Sequence, residues 1–356
     1  MPTWELAPVS PRSVALALPG RVVTNAELCE TLDTTPEWIE EKTGIRERRF
    51  LESHETVLDL AVESAAKAME AAGIGPRSVD VLVVACTSPD WIMPSLGVSL
   101  AERLGIETPR ILDLTQHACA SSAYGMYTAS CLLQEPGLET ALVVCAERGS
   151  GITDPADRLT RIFFGDAAGA VVLHRTDGAD GLLSYDLGHV HSDGVRMATA
   201  WRIDQEVPTS TTETPRSPYI FMDGNVVLRE AMTRVPKSLS EALSLAGVTV
   251  DEVSGFAVHQ ANAKLVRHIG RMAGAEPERV PVTADTLGNT AAASPLTALW
   301  RLAREGRARR GDVIVLGAIG AGFLFGSLVF RLPADLVAAE VPGMAVPGED
   351  MTPPAR

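Results

Sequence analysis

Two stretches of this chain, far apart in sequence, follow the same order of elements, and that order limits its fold more than any single motif. In the first, Val57, Leu58, Ala61, Ala65, Met69 and Ala72 recur at helical spacing before Gly73, which can end a helix. A near-continuous apolar run, Val79–Cys86, then reads as a strand buried on both faces. Arg110–Leu114 runs through Gln116–Cys119 into a helix of small residues, Ser121–Leu133, and two strands follow, Ala141–Cys145 and Ala167–Leu173. In the second stretch, Gly255–Val258 reads as a strand leading into a helix near Asn262–Met272. Asp285–Asn289, read as a strand-to-helix corner, leads into the helix Ala291–Arg304, and Asp312–Leu316 and Gly326–Phe330 close the set. The likeness is one of pattern and not of residue identity. It predicts an α/β chain of two duplicated halves, 1–175 and 176–333. Met197–Pro218, rich in Thr, Pro and Ser, falls outside the pattern and reads as a long surface loop, while 334–356 reads as a mobile tail.

With 356 residues, 46% of them hydrophobic and 21% charged, the chain has ample material for a buried core and is not a disordered or fibrous sequence. A formal charge of −14 argues against a nucleic-acid partner held by a broad basic surface. Five cysteines without a CxxC spacing argue against a disulfide framework or a zinc site and for a reduced, cytoplasmic chain with no metal. Val313–Phe330 carries no charge over eighteen residues, the length of a membrane span. It also holds Gly317, Gly320, Gly322 and Gly326, so two buried strands joined by a glycine turn are expected, and no membrane partner.

Cys119 lies where a strand gives way to a small-residue helix. A thiol there feels the positive end of the helix dipole, and its pKa is expected to fall toward the working range, as a nucleophile requires. Cys29, Cys86, Cys131 and Cys145 read as small buried hydrophobes. His259 ends the strand Phe256-Ala-Val-His, and Asn289 stands at the corner Gly288-Asn-Thr-Ala-Ala-Ala-Ser, where the plain reading is a helix cap. Together they bring a thiol, an imidazole and an amide to equivalent strand ends of a duplicated α/β frame, where open sheets gather their sites. Ile319-Gly-Ala-Gly-Phe-Leu-Phe-Gly lacks the spacing and the following helix of a dinucleotide fingerprint. It suits a tight turn that offers a backbone N–H to an oxyanion. Lys264, Arg267 and Arg271 share one helical face, with His268 beside them and no acid between Ala261 and Gly274.

From about Ser13 to Leu332 the sequence resembles the β-ketoacyl-acyl carrier protein synthase III family, which has the thiolase fold, a five-layered α-β-α-β-α core. The resemblance rests on ordered motifs: Asp33-Thr-Thr-Pro-Glu-Trp-Ile, Thr43-Gly-Ile-Arg-Glu-Arg, the Cys119 segment, Phe164-Gly-Asp-Ala-Ala-Gly-Ala, His191-Ser-Asp-Gly, Met222-Asp-Gly-Asn, Val258-His-Gln-Ala-Asn and the Asn289 corner. It implies that Cys119 is acylated by an acyl-CoA or acyl-carrier-protein starter, and that His259 and Asn289 hold the carbonyl of a malonyl-type thioester during decarboxylation. The backbone N–H groups of Cys119 and Ala321 would form the oxyanion hole. Alanine stands at 321 where the family usually has glycine, and it disfavours a positive φ. Trp38, Lys42 and Arg158 would contact coenzyme A, Ser122 and Met93 would line the acyl pocket, and Lys264, Arg267 and Arg271 would dock the carrier protein. No cofactor is implied, coenzyme A and phosphopantetheine thioesters being substrates, and a homodimer is expected. Ser122 replaces the family's aromatic residue, which makes a roomier or more polar pocket and points to a starter of specialised metabolism. Two rival readings keep their place: acyl transfer from Cys119 to a hydroxyl or amine, and a non-catalytic carrier-binding subunit.

Overall fold

The computed structural model describes residues 7–108, 110–192, 194–197, 218–342 and 344. Its first half lays down β1 (Val9–Ala17), α1 (Val57–Ala72), β2 (Val81–Ala85), β3 (Ile111–Leu114), α2 (Ser121–Leu132), β4 (Thr140–Arg148) and β5 (Asp166–Arg175). The second lays down β6 (Gly181–His189), α3 (Gly224–Ala246), β7 (Val253–Val258), α4 (Ala263–Met272), α5 (Ser294–Arg304), β8 (Val313–Ile319) and β9 (Leu324–Arg331), and a short β10 (Val337–Ala338) follows. One sheet runs β10-β1-β5-β4-β2-β3 and the other β7-β8-β9-β6. Reading β6, β9, β8 and β7 as counterparts of β1, β5, β4 and β2 gives both sheets the same strand order. The mix of parallel and antiparallel pairs is also the same.

Alternation along the strands builds the layers. Val81, Val83 and Ala85 of β2 face one apolar cluster with Ala141, Val143 and Cys145 of β4, while Leu82, Val84, Leu142 and Val144 face another. The inner cluster also takes Ile314, Leu316 and Ala318 from β8, with α2 and α5 between the two sheets. The outer faces are covered by α1 on the first sheet and α3 on the second. Five layers result, α-β-α-β-α, as the thiolase fold requires. The uncharged run Val313–Phe330 is the β8–β9 pair, and no helix among the described residues is long and apolar enough to cross a membrane.

Two expectations change. Among the described residues no strand answers to β3 in the second half: Ala284–Leu287 is a short helix, and Asn289 makes a single parallel bridge with Phe164. The chain turns there because Gly288 takes φ 66° and passes so close to Gly165 that a Cβ on the latter would lie 2.1 Å from the Leu287 carbonyl oxygen. The expected tail begins as part of the fold. Val337–Ala338 pairs with β1, Leu336 and Val341 are buried, and the Trp300 indole N–H donates to the Ala339 carbonyl at 2.7 Å. Residues 345–356, and the loop 197–218 apart from its two ends, lie outside the described residues.

Candidate active site

Cys119 sits in a three-residue 3-10 turn, Ala118–Ala120, that opens α2, and this turn packs against the matching turn Ala291–Ala293 that opens α5. His259 follows β7 directly, its N–H bonded to the Gly317 carbonyl of β8 at 2.7 Å. The end of β8 then meets the nucleophile's turn. A Cβ on Gly320 would come within 2.2 Å of the His117 carbonyl oxygen and 3.1 Å of the Cys119 nitrogen, so only glycine allows this approach. Ala321 follows at once, in a turn that contacts the turn of Cys119. It needs no left-handed backbone, because the positive φ of this turn, 111°, falls on Gly322. The feared conflict at Ala321 does not arise.

The inner atoms of the imidazole and the amide are committed to the scaffold. His259 is buried, with Nδ1 2.5 Å from the Ser294 hydroxyl, which also accepts the Gln260 N–H at 3.0 Å. Gln260 is anchored in turn by Val258, Pro281, Thr283 and Ala284. Asn289 is buried, and its Oδ1 accepts the Ala291 N–H at 2.9 Å. Nε2 of the one and Nδ2 of the other have no hydrogen-bond partner among the described residues.

Burial governs the electrostatics. It pulls His259 down to about 4, so the ring is neutral at ordinary pH. It pushes the Cys119 thiol up to about 12, helped by the charge of Glu147. The direction is thus opposite to the drop expected from the helix dipole: desolvation keeps the free thiol protonated, although the residue is not fully closed off from solvent. Glu147 lies on the face of β4 that carries Cys145 into the central layer, and burial raises its own pKa to about 7. It accepts bonds from the Thr87 N–H and the Ser88 hydroxyl.

A cavity of about 940 Å³ leads in from the surface to Asn289. Trp38 and Lys42, one turn apart on the helix Pro36–Thr43, form one wall. Lys264, Arg267 and Arg271 of α4 also line the cavity, with Met222 and Leu228. Arg158 is off the wall but stacks its guanidinium 5.4 Å over the Trp38 ring and donates to the Asp33 carbonyl. The structure thus brings the two predicted sets of residues to one cavity. Ser122 is buried two positions after the nucleophile's turn begins its helix, and its hydroxyl has no hydrogen-bond partner among the described residues. Met93 departs from its expected place. It is 83% exposed, at the tip of a loop with Trp91 and Ile92, and closes no acyl pocket within a single chain.

The sequence patterns described as 3-oxoacyl-[acyl-carrier-protein] synthase III and its C-terminal part match residues 112–193 and 243–332. A β-ketoacyl-[acyl-carrier-protein] synthase III of Alkalilimnicola ehrlichii is 38% identical over 88% of this chain and 96% of its own. The chain belongs to the β-ketoacyl-acyl carrier protein synthase III family. A second synthase III, from Rhizorhabdus wittichii, is 40% identical over the same shares. Among solved structures, the priming β-ketosynthase of the R1128 polyketide pathway superposes with a TM-score of 0.83 at 33% identity, covering 93% of this chain and 98% of that one. The Aquifex aeolicus synthase III gives 0.82 at 29%, covering 91% and 99%.

Sequence reasoning passed over two residues that the structure links to the candidate ones, Ser294 to His259 and Glu147 to Cys119. Ser294 was in plain view: Ala-Cys-Ala-Ser at the first corner and Ala-Ala-Ala-Ser at the second carry the same serine. Glu147 gave no signal, since a single acid at a strand end reads as a solvated residue.

Proposed function

We infer that this synthase III family member joins two acyl thioesters by decarboxylative condensation, with Cys119, His259 and Asn289 as its catalytic residues. The observation that carries the reading is the pair of committed inner atoms, which leaves His259 Nε2 and Asn289 Nδ2 as neutral donors, on elements whose corner packs against the turn of Cys119. In the first half-reaction the Cys119 sulfur attacks the thioester carbonyl of an acyl-CoA or acyl-carrier starter. The new C–S bond forms as the old one breaks, and the thiol proton ends on the departing sulfur. His259, held near 4, is too weak a base to keep it. The backbone N–H groups of Cys119 and Ala321 stabilise the tetrahedral oxyanion.

In the second half-reaction a malonyl-type thioester loses CO₂. The electron pair of the broken C–C bond forms an enolate, and His259 Nε2–H and Asn289 Nδ2–H donate to its oxygen as charge develops. The enolate carbon attacks acyl-Cys119, expels the sulfur, and yields a β-ketoacyl thioester. Trp38, Lys42 and Arg158 are the proposed grip on coenzyme A, and no metal or resident cofactor takes part. The five free thiols fit a reducing cytoplasm. The exposed Trp91, Ile92 and Met93 support a homodimer that covers them, so Met93 would meet a partner subunit.

The test is mass spectrometry after incubation with a panel of acyl-CoA thioesters. One acyl group should load on wild type and none on Cys119→Ala. Asn289→Ala should still load while losing most malonyl-thioester decarboxylation. An Asn289→Ala enzyme that decarboxylates normally, with product forming on an alcohol or amine, would establish simple acyl transfer instead.

A further inference from the structure

On the far side of the short helix Arg158–Arg161 from the Trp38 wall lies a second cavity of about 540 Å³, at the carboxyl ends of β2 and β4. Three arginines line it, Arg21, Arg148 and Arg161, on a chain whose net charge is −14. Asp90 is its one acidic lining residue, and an oxygen of that carboxylate accepts the Leu58 N–H. Beneath the floor, Asp166 is buried with both oxygens engaged by Ser150 and the Leu51 N–H. Glu27 pairs with Arg21 from the outer side.

The arginines are arranged, not scattered. Arg161 stacks 4.5 Å over the Phe50 ring and donates through one nitrogen to the Ser150 carbonyl and the Thr153 hydroxyl, leaving its other nitrogens toward the cavity. Arg148 lies along Gly151, where a Cβ would meet its stem at 3.3 Å, and its charge also acts on the buried Asp166. Burial disfavours the charge on Arg161, the buried Asp166 favours it, and the neighbouring Arg21 disfavours it, so the guanidinium stays below its ordinary pKa. The remaining wall is apolar, from Phe50, Leu51, Pro89 and Ile152.

We propose that this cavity is a second ligand site, taking a small organic phosphate whose phosphoryl oxygens meet Arg148, Arg161 and Arg21 and whose carbon skeleton lies on Phe50, Pro89 and Ile152. Planar guanidiniums match phosphate oxygens in pairs, and the volume exceeds what a bare phosphate fills. The site has a route to the chemistry. Ser88 on its wall accepts the Arg148 N–H at 2.7 Å and donates to Glu147 at 2.6 Å, and Glu147 is the acid whose charge bears on Cys119. Coenzyme A itself carries phosphates, so the experiment must separate a distinct ligand from a second pose of the substrate.

Inorganic pyrophosphate is titrated calorimetrically into the enzyme with and without saturating coenzyme A. The site predicts binding that survives coenzyme A, weakens at least tenfold in Arg148→Glu and in Arg148→Gln, and is unchanged in Lys42→Ala. Circular dichroism and Tm establish that the Arg148 variants are folded. Pyrophosphate binding that coenzyme A abolishes, or that is equal in wild type and both folded Arg148 variants, overturns the proposal.

Discussion

Ala118 and Ala291 are the same residue in two copies of one corner. Both take left-handed backbone, φ 47° and 45°, both open a three-residue 3-10 turn, and both are followed three positions later by the serine that starts a central helix. Cys119 therefore has Ala292 as its mate. The duplication kept the corner in both halves and the nucleophile in one.

Left-handed backbone costs a non-glycine residue roughly 1–3 kcal/mol, least for alanine and most for a β-branched side chain. Ala291→Gly should accordingly leave the unfolding free energy within about 1 kcal/mol of wild type, since relief of strain offsets the added chain entropy. Ala291→Val should lose more than about 2 kcal/mol. Denaturant titration measures both, and equal stability of the two variants would show that the corner is not strained.

Ser294 should control which nitrogen of His259 carries the proton. Its hydroxyl accepts the Gln260 N–H, so its own proton can go to Nδ1, which places the ring proton on Nε2 facing the enolate. Ser294→Ala removes that preference and orphans a buried N–H. Decarboxylation should fall about tenfold or more with Cys119 loading nearly intact, and ¹⁵N NMR should show the ring shifting toward the Nδ1–H tautomer. Because the folded ring titrates near 4, His259 should impose no break on the wild-type rate between about pH 5 and about pH 8. Full decarboxylation in Ser294→Ala with an unchanged ¹⁵N spectrum would assign the serine a purely structural role.

Much of the fold was legible because period-two and period-3.6 patterns survive where one face is buried. β1 and β6 were missed for opposite reasons. β1 is buried on nearly all sides, so Val9–Ala17 shows no alternation, and Pro11 sits at a register shift with β5 where a ladder bond is not needed. β6 is half-exposed throughout and too polar to stand out. α3 hid behind Pro236, which reads as a breaker yet lies inside a 23-residue helix. At the site, residue types and strand-end positions single out Cys119, His259 and Asn289 as candidates. The thiol's true electrostatics were not legible, because desolvation depends on how deeply the whole molecule surrounds the sulfur, and a local sequence reports only the helix start.

Glu147 should make stability fall as pH rises. Its folded pKa, about 7, stands above the ordinary 4.5, so the folded form holds the proton longer than the unfolded chain. Its contribution is complete below about 4.5 and is lost as pH climbs through about 7, a difference of roughly 3 kcal/mol. His259 works in the opposite sense: its depressed pKa adds stability above its ordinary 6.5 that is lost as pH falls through about 4. Subtracting the Glu147→Gln curve isolates the first effect. The variant should gain on wild type between about pH 5 and about pH 8, and a constant difference across that range would show that Glu147 does not titrate there.

The last prediction concerns how a carrier-bound substrate is delivered. The basic face of α4 turns to the 940 Å³ cavity, which Lys264, Arg267 and Arg271 line together with Trp38 and Lys42, while Val266 and Ile269 of the same helix are buried. Asn262, three residues after His259, caps the helix by accepting the Leu265 N–H and so fixes how the basic face is presented. A carrier protein is acidic and reaches an active site with a long phosphopantetheine arm. The rim of a cavity that ends at Asn289 is therefore where its charge would be met. Exposed charges are screened beyond about 10 Å at 0.1 M salt, so association should weaken as salt rises. Reversing Arg267 and Arg271 to glutamate should raise KM for a carrier-bound thioester severalfold and leave turnover of the same acyl group on a short pantetheine thioester nearly unchanged. A matched loss with both substrates would mean that the reversal damages the cavity itself, and no loss with either would place the docking face elsewhere.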